Sequence, residues 1–467
     1  MPSLLLTDAY KFSMAEAGFP LRPETFYYSH RKGGPQVLPV DVKTYIEARL
    51  PELRDLDLLF LSRFGYGASP ATMSALTGAI TVHAIPRGSV FYPGEPVFSV
   101  TGPSALVSWL EPLLLQLHYR IQIASYARFS PTSLPKLVKA VTCAQQEAII
   151  KETLDYMKVP CPSIQADPGE YMYWVTRTAK TLVDIVGGGN RLFEVGLRAA
   201  TCPEQHTFAL ASCRDTGITR TSNVKGANDM HMTPVGTMGH EHIQRFGNDR
   251  DAFLAMRDRR SAHPSFLLDT FDTKKGLETA FEVMAENRGR PASIRFDSGD
   301  KVAQVRWAAK EAREYGIKPT IILEDSLDAP KTQELEKVRK ELDYPAEKWI
   351  YGYGGHLVNA PEEQLTRDNV AAVYKLSSSG GMHTMKFGNE VDGGKESQPG
   401  RPVVYRRVHA KQTPIGIISQ AGEHCPEGYK PLTDAEADFG ALDPTPFVMR
   451  SPQTEVLVRM LRKDAGK

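Results

Sequence analysis

Polar side chains that could do chemistry follow a series of short apolar runs from residue 192 onwards. Thr237 and His240 follow the run that ends at Val235. Histidine can act as a nucleophile or as a general acid and base, because its pKa lies near neutrality. The segments LLDTFDT, SIRFDSGD, ILEDSLD and YGYGGHLV add carboxylates, an arginine and glycines, namely Asp269, Arg295, Asp297, Asp325, Gly354 and Gly355. This mixture suits a phosphorylated sugar, since carboxylates bind ribose hydroxyls or Mg²⁺, arginine binds anions, and glycine lets the backbone approach a phosphate.

Each motif taken alone also has an ordinary structural explanation. LEDSLD could begin a helix with an N-cap, RFDSGD could form a salt-bridged loop, and YGYGGHLV could make a tight turn. His240 could cap a helix or pair with Glu241. The other histidines that compete with it are His231, His242, His356 and His383. The repetition of polar residues after successive apolar runs favours one shared site.

The elements that must position these side chains are predicted to be alternating strands and helices. The eight candidate strands are residues 192–195, 218–219, 232–235, 266–268, 293–296, 320–323, 349–351 and 371–376. Such alternation is typical of βα units and a parallel sheet. We predict an irregular, partly open α/β barrel, in which the loops after the strands meet at one face. An open doubly wound sheet is the alternative that the pattern also allows.

The remaining segments predict a second structural unit beside the barrel. We expect an N-terminal α+β domain over residues 1–145, because Pro and Gly punctuate short strand-like runs there. The barrel is expected over residues 146–385. The segment 386–467 is expected to pack back on the N-terminal domain. The predicted fold class is therefore α/β, with an α+β domain formed by the two ends of the chain.

The composition limits the classes of function. The chain has 467 residues, 41% of them hydrophobic, which is enough for a large core and a second domain. A net charge of +1 predicts neither nucleic-acid nor membrane binding, so an anionic ligand needs a local site. No apolar run has the length of a membrane span, and no basic leader is present. The five cysteines lack metal-binding spacing, which predicts reduced thiols in a cytoplasmic protein.

Several motifs occur together in an order typical of one family. They are TDAYK, FEVGLR, TSNV, TPVGTMGHEHIQ, LLDTFDTKKGL, IRFDSGD, LEDSLD and YGYGGHLV. On these segments the chain resembles the nicotinate phosphoribosyltransferases, type II phosphoribosyltransferases that are related to nicotinamide phosphoribosyltransferase. The resemblance extends over residues 7–387. The dinucleotide fingerprint GxGxxG and the P-loop GxxxxGK[ST] are absent from the sequence.

The resemblance implies a reaction, cofactors and site residues. Nicotinate and 5-phosphoribosyl 1-diphosphate would give nicotinate mononucleotide and pyrophosphate, with Mg²⁺ present and ATP hydrolysis coupled through a phosphohistidine. The phosphohistidine falls on His240. The implied catalytic residues are His240, Arg295 and Asp297, and the implied substrate-binding residues are Tyr10, Arg198, Thr237, Arg295, Asp325, Gly354 and Gly355. Tyr10 would stack on the pyridine ring from the partner subunit of a homodimer. Thr237 and Arg295 would contact the ring or its carboxylate, the aspartates the ribose and Mg²⁺–pyrophosphate, and the glycines the 5′-phosphate.

The chain departs from the family pattern at several positions. Ala199 stands where many nicotinate enzymes have a second arginine, and Gly355 stands where threonine is common. Arg220 replaces a usual glycine, and KLSSSGG replaces a more acidic segment. The single arginine also suits a nicotinamide enzyme, in which a carboxylate such as Glu194 could bind the amide. A non-catalytic protein that binds phosphoribosyl ligands is a third alternative, although the retained histidine, arginine and aspartate of the site favour catalysis.

Overall fold

Strands and helices alternate along the chain, as a computed structural model shows for residues 2–260, 263–286, 290–361, 363–387, 396–408, 414–432 and 448–464. The strands are β1 (Pro23–His30), β2 (Gln36–Val37), β3 (Thr81–Ala84), β4 (Val90–Phe91), β5 (Phe98–Pro103), β6 (Leu192–Glu194), β7 (Arg220–Thr221), β8 (Thr233–Pro234), β9 (Ser265–Leu267), β10 (Ser293–Phe296), β11 (Thr320–Leu323), β12 (Trp349–Tyr353), β13 (Ala372–Ser379), β14 (Met382–His383), β15 (Pro402–Arg407), β16 (Gly416–Gln420), β17 (Tyr429–Pro431) and β18 (Val448–Arg450). The helices are α1 (Ala9–Ala17), α2 (Val42–Glu47), α3 (Asp55–Arg63), α4 (Pro70–Leu76), α5 (Ser104–Trp109), α6 (Glu111–Leu115), α7 (Leu117–Phe129), α8 (Leu134–Leu137), α9 (Ala144–Met157), α10 (Pro168–Val186), α11 (Pro203–Asp215), α12 (Val224–Met230), α13 (His240–Phe246), α14 (Asp249–Arg259), α15 (Thr273–Ala285), α16 (Lys301–Glu314), α17 (Ala329–Glu341), α18 (Gly355–Val358), α19 (Arg367–Val370) and α20 (Pro452–Asp464).

Seven parallel strands form the central sheet in the order β8-β7-β6-β12-β11-β10-β9. If the two ends of this sheet are placed side by side, the strands follow one another in chain order from β6 to β12. Among the described strands of this ring, β8 and β9 are the one neighbouring pair without ladder hydrogen bonds. A sheet with one unpaired seam is a partly open barrel. The predicted fold class is therefore confirmed, and the open doubly wound alternative does not apply.

Burial on both faces explains why the barrel strands read as continuous apolar runs. All five residues of β12 are buried, as are Ile321, Ile322 and Leu323 of β11. Helices α10, α15 and α16 cover the sheet with their apolar faces. Parallel strands covered in this way lack the alternation of a half-exposed strand. One large hydrophobic core, between sheet and helices, holds the strand ends in place.

Aspartates begin three of the barrel helices. Asp272, Asp300 and Asp328 each accept hydrogen bonds from the backbone N–H groups of the first turn of α15, α16 and α17. The predicted N-cap in LEDSLD is thus confirmed for Asp328, whose carboxylate lies 2.8 Å from the Lys331 nitrogen. Capping supplies acceptors for orphan N–H donors, so this aspartate has a structural role.

Replacing Asp328 with alanine should lower the free energy of unfolding by about 1 kcal/mol, the usual loss for an aspartate N-cap. The exposed Lys337 on the same helix supplies a control, since K337A removes no cap. Urea unfolding of both variants measures the effect. Unchanged stability in D328A would show that the helix start is held by other contacts.

The prediction for the eighth barrel strand is wrong about the sheet to which it belongs. Residues 371–376 were expected to complete the barrel, but β13 instead joins a five-stranded sheet in the order β14-β13-β1-β5-β3. There β13 pairs antiparallel with β1, from Glu24 opposite Ser379 to His30 opposite Ala372. An apolar run in the sequence indicates that a strand is buried, but it does not indicate which other strand pairs with it. The predicted domain boundaries stay predictions.

The C-terminal segment contacts the N-terminal part of the chain through buried charges. Arg406 on β15 donates to Glu95 at 2.8 Å, and both side chains are 1% exposed. The same guanidinium donates to the Val90 carbonyl oxygen. Paired charges of this kind tolerate burial because each satisfies the other. Across the described ranges, no helix is long and apolar enough to cross a membrane.

Candidate active site

A cavity of about 650 Å³ opens at the carboxyl ends of the parallel strands. Its lining includes eight of the predicted site residues: Tyr10, Arg198, His240, Arg295, Asp297, Asp325, Gly354 and Gly355. A narrower pocket next to it is lined by Thr237, Phe193 and Ser222, among others. Five residues line both spaces: Tyr10, Val195, Arg198, Arg295 and Glu324. The structure therefore brings all the predicted site residues to two connected spaces, although their roles stay predictions.

Tyr10 reaches the site from its own chain. The Ala9 nitrogen donates to the Ser222 carbonyl oxygen at 2.8 Å, which ties the start of α1 to the barrel. Gly236 allows this approach, since a Cβ atom there would lie 2.7 Å from the Tyr10 nitrogen. In this single chain Tyr10 lines the cavity of its own chain. The predicted role of Tyr10 in a partner's site, and the homodimer that this role requires, stay predictions.

A buried charge network anchors the same helix. Lys11 donates to Glu111 at 2.5 Å and to Glu241 at 2.7 Å, and the Ser108 hydroxyl also donates to Glu241. The lysine side chain is 2% exposed. Glu241 is thus bound to α1 and α5. Among the described residues its carboxylate makes no hydrogen bond or ion pair with the neighbouring His240 side chain, so the pairing considered from the sequence is not seen.

His240 begins α13 and is 8% exposed. Its Nδ1 lies 3.0 Å from the Thr270 Oγ1, and its Nε2 lies 2.9 Å from the Lys386 Nζ. An ammonium group only donates, so Nε2 accepts, and the ring proton sits on Nδ1, which donates to Thr270. Asp297 and Asp269 lie 3.5 and 4.0 Å from Nε2.

Burial is the main reason why the pKa of His240 falls to about 4, and the Lys386 charge lowers it further. Asp269 and Asp297 act in the opposite direction and raise this pKa. At neutral pH the imidazole is therefore uncharged, and its Nε2 lone pair faces the carboxylates and the ammonium of the cavity. A neutral imidazole can act as a nucleophile, whereas an imidazolium cannot.

Arg295 sits at the junction of the two spaces. Its Nη1 donates to the Thr237 Oγ1 at 2.5 Å, and its guanidinium lies 3.4 Å from both Asp297 and Glu324. Burial tends to raise the pKa of Asp297, but Arg295 and His240 more than offset this and hold it well below its usual range. Among the described residues, none accepts a hydrogen bond from the buried Nε of Arg295. An orphan donor beside a pocket can bind an anionic ligand.

Arg198 supplies a second cation to both spaces. Its Nε lies 3.4 Å from the Asp8 carboxylate, and this nitrogen also lacks a hydrogen-bond partner. Glu194, the carboxylate considered for an amide, is fully buried and already bound. It accepts from the Gly196 nitrogen at 2.5 Å and from the Thr221 hydroxyl at 2.7 Å, and it pairs with His206 at 2.9 Å. Glu194 lines neither space.

The residues after β11 and β12 form the far wall of the cavity. Asp325 and Ser326 adopt left-handed backbone conformations, with φ of 61° and 54°. At Gly355 a Cβ atom would lie 2.9 Å from the Asn359 Nδ2 and 3.0 Å from the Asp368 carboxylate. A larger residue at this position would therefore have to displace the ends of the Asn359 and Asp368 side chains.

Sequence reasoning missed several charged residues of the cavity lining, among them Arg31, Glu324, Lys375 and Lys386. Lys375 and Lys386 come from β13 and the segment after β14, outside the barrel. Burial lowers the pKa of Lys375 to about 8, although Glu111 raises it. No strand-end pattern points to these lysines, because the antiparallel sheet carries them to the barrel. Glu324 directly precedes the predicted Asp325, and only the strand's register decides which of the two side chains is buried.

Three side chains could hold a metal ion. The ligand atoms of His240, Asp269 and Asp297 lie within 4.8 Å of one another. One oxygen of Asp269 is buried without a hydrogen-bond partner, so it is free to bind a cation. Mg²⁺ prefers oxygen ligands, so the two aspartates fit it better than the histidine does.

The cavity at the strand ends of this partly open α/β barrel carries both basic and acidic side chains and lies at the usual catalytic face of such barrels. Residues 203–408 match the nicotinate phosphoribosyltransferase (NAPRTase) family. The family resemblance predicted from the motifs is thereby confirmed.

Individual relatives carry the same name. The chain is 24% identical to the nicotinate phosphoribosyltransferase of Homo sapiens, with 98% of this chain and 86% of that protein covered. It is 26% identical to the nicotinate phosphoribosyltransferase of Rattus norvegicus, with 90% and 80% covered. The solved nicotinate phosphoribosyltransferase of Porphyromonas gingivalis has a TM-score of 0.61 at 18% identity, with 85% of this chain and 96% of that one covered. That likeness shows a shared fold.

Proposed function

We propose that this protein is a nicotinate phosphoribosyltransferase, which joins nicotinate to 5-phosphoribosyl 1-diphosphate in NAD biosynthesis. The observation that carries the proposal is the junction of a narrow pocket and a large cavity, with Arg198 and Arg295 lining both. The narrow pocket is lined by the aromatic side chains of Tyr10 and Phe193 and has a volume of about 10 Å³, so a flat ring would sit at its mouth, against the cavity. Two arginines beside such a pocket favour a ring that bears a carboxylate.

The larger cavity suits the phosphorylated substrate. Lys375, Lys386 and Arg31 supply positive charge for the diphosphate, and Gly354 and Gly355 leave backbone accessible for the 5′-phosphate. In the reaction the pyridine nitrogen lone pair forms a bond to ribosyl C1, while the bond from C1 to pyrophosphate breaks. The departing electron pair stays on pyrophosphate. The cations near the leaving group lower the barrier, because they offset charge where it develops.

The coupling to ATP is proposed to run through His240. The Nε2 lone pair would attack the terminal phosphorus of ATP, forming an N–P bond while ADP leaves. Lys386, 2.9 Å from Nε2, is placed to neutralise the phosphoryl group. The added negative charge beside the diphosphate site could order Mg²⁺ and favour the productive complex.

Mg²⁺ would be held by Asp269 and Asp297, the oxygen donors of the cluster near His240. When bound, it supplies positive charge that stabilises the pyrophosphate leaving group. The proposed homodimer and the cytoplasmic location are kept as predictions from the sequence.

Nicotinate is proposed over nicotinamide because Glu194 lines neither space and its carboxylate is already bound by Gly196, Thr221 and His206. We expect purified protein with phosphoribosyl diphosphate and Mg²⁺ to release pyrophosphate with nicotinate, and faster when ATP is added. A coupled pyrophosphate assay, with each pyridine offered separately, measures this. Turnover with nicotinamide alone would favour the amide enzyme, and no turnover with either would favour the non-catalytic phosphoribosyl binder.

A further inference from the structure

Glu324 occupies a position that the proposed roles leave without a function. Its side chain is 9% exposed and lines both the narrow pocket and the large cavity. Gly352 on the neighbouring strand makes room for it, since a Cβ atom there would lie 2.5 Å from the Glu324 Cγ. The carboxylate is therefore placed at the junction by the packing of β11 against β12.

The junction is where the two substrates must meet. A ring held at the mouth of the narrow pocket would meet a ribosyl carbon held in the cavity beside the walls that the two spaces share. Of the five residues that line both spaces in the described chain, Glu324 alone is acidic. Arg198 and Arg295 line the same junction. Two cations there would repel a sugar carbon that becomes positive as pyrophosphate leaves.

We propose that Glu324 is a catalytic carboxylate that faces the ribosyl carbon and stabilises its developing positive charge during transfer. The inference rests on the proposed phosphoribosyl transfer. Glu324 stays ionised throughout, forms no covalent bond and moves no proton. The ring nitrogen supplies the electron pair of the new bond, and pyrophosphate takes the pair of the broken one. Because the carboxylate acts on charge that is absent from the ground state, it raises kcat more than it lowers KM.

The surroundings of Glu324 set the pH at which it works. Burial raises the pKa of this carboxyl, Arg295 lowers it, and Asp297 raises it. Arg198 lowers it and Asp8 raises it, with smaller effects. Because its pKa is raised, Glu324 is protonated at a higher pH than an ordinary glutamate when the pH falls. Transfer should therefore decline on the acidic side of neutrality.

The test compares kcat, KM for nicotinate and the pH profile in wild-type protein, E324Q and E324D. The glutamine variant keeps size and removes charge, and we expect it to lower kcat on the order of 100-fold, as for other preorganised electrostatic groups. KM should change little, and the acidic decline should disappear. The aspartate variant keeps charge and should retain an acidic decline. E341Q, which changes an exposed glutamate on α17, is the matched control and should behave as wild type.

Two outcomes would overturn the inference. If E324Q retains kcat within about threefold of wild type, the carboxylate does not act on the transition state. If the loss appears only in KM and the pH profile is unchanged, Glu324 merely supports Arg295 in binding the ring. Inactivity of the wild-type protein with both pyridines would instead defeat the proposed function itself, and this inference with it.

Discussion

We expect His240→Ala to abolish the proposed stimulation of transfer by ATP and to leave the basal reaction in place. The imidazole Nε2 is the proposed phosphoryl acceptor, since it faces Lys386 and two carboxylates while Thr270 holds Nδ1. Alanine removes the acceptor without touching the pocket for the ring. The measured quantity is the ratio of the initial rate of pyrophosphate release with ATP to the rate without ATP. That ratio should fall to about 1 in the variant, because no covalent intermediate can form.

The proposed stimulation by ATP should be lost as the pH falls, because only the neutral form of His240 is nucleophilic. The pKa of His240 is lowered to about 4, so the nucleophilic neutral form persists through mildly acidic pH. ATP stimulation should therefore be retained down to about pH 5 and fade as pH approaches 4. H83A, which changes an exposed histidine on β3, is the control. Full ATP stimulation in H240A would mean that another group accepts the phosphoryl, or that ATP acts without covalent transfer.

We expect Arg295→Met to weaken the use of nicotinate far more than the use of nicotinamide. The guanidinium is held by Thr237, Asp297 and Glu324, and its unpartnered Nε is available to the ring substituent. Removing one partner of a buried charge pair costs about 2–5 kcal/mol, which is about 30-fold to several thousand-fold in affinity. The loss should appear in the KM for nicotinate, because a carboxylate needs the cation and an amide does not.

Arg295→Lys is the informative companion variant. Lysine keeps the charge but loses the planar fork, so it should restore only part of the affinity for nicotinate. Thermal unfolding of both variants checks that the buried carboxylates left behind do not simply unfold the protein. Equal losses for nicotinate and nicotinamide in a folded variant would place Arg295 away from the ring substituent.

The barrel could be predicted because its strands are buried on both faces. Runs such as residues 320–323 and 349–351 are apolar without alternation, and the caps at Asp272, Asp300 and Asp328 mark where the following helices begin. Strand-end residues could be assigned to one site, since parallel strands end at the same edge. The strand at residues 371–376 was placed in the wrong sheet, because its apolar residues are equally buried against β1.

The charged residues that complete the site could not be predicted in the same way. Lys386 lies 146 positions from His240 along the chain, yet it donates to that ring. Glu324 and Asp325 are adjacent carboxylates in the sequence. The register of β11 buries the Glu324 side chain and places it at the junction, whereas Asp325 does not line the narrow pocket. Local periodicity carries information about neighbours within one strand or helix, and it carries none about side chains that another sheet brings in.

The sequence by itself therefore determined the barrel strands, the helix starts and the set of polar residues at the strand ends, because these depend on local burial patterns and hydrogen-bonding capacity. Only the tertiary structure decided that Tyr10 lines the site of its own chain, that Lys386 contacts His240, and that Glu194 is engaged inside the barrel. Those contacts depend on how separate sheets and helices pack. Packing is set by shape and charge across the whole core, which no short segment encodes.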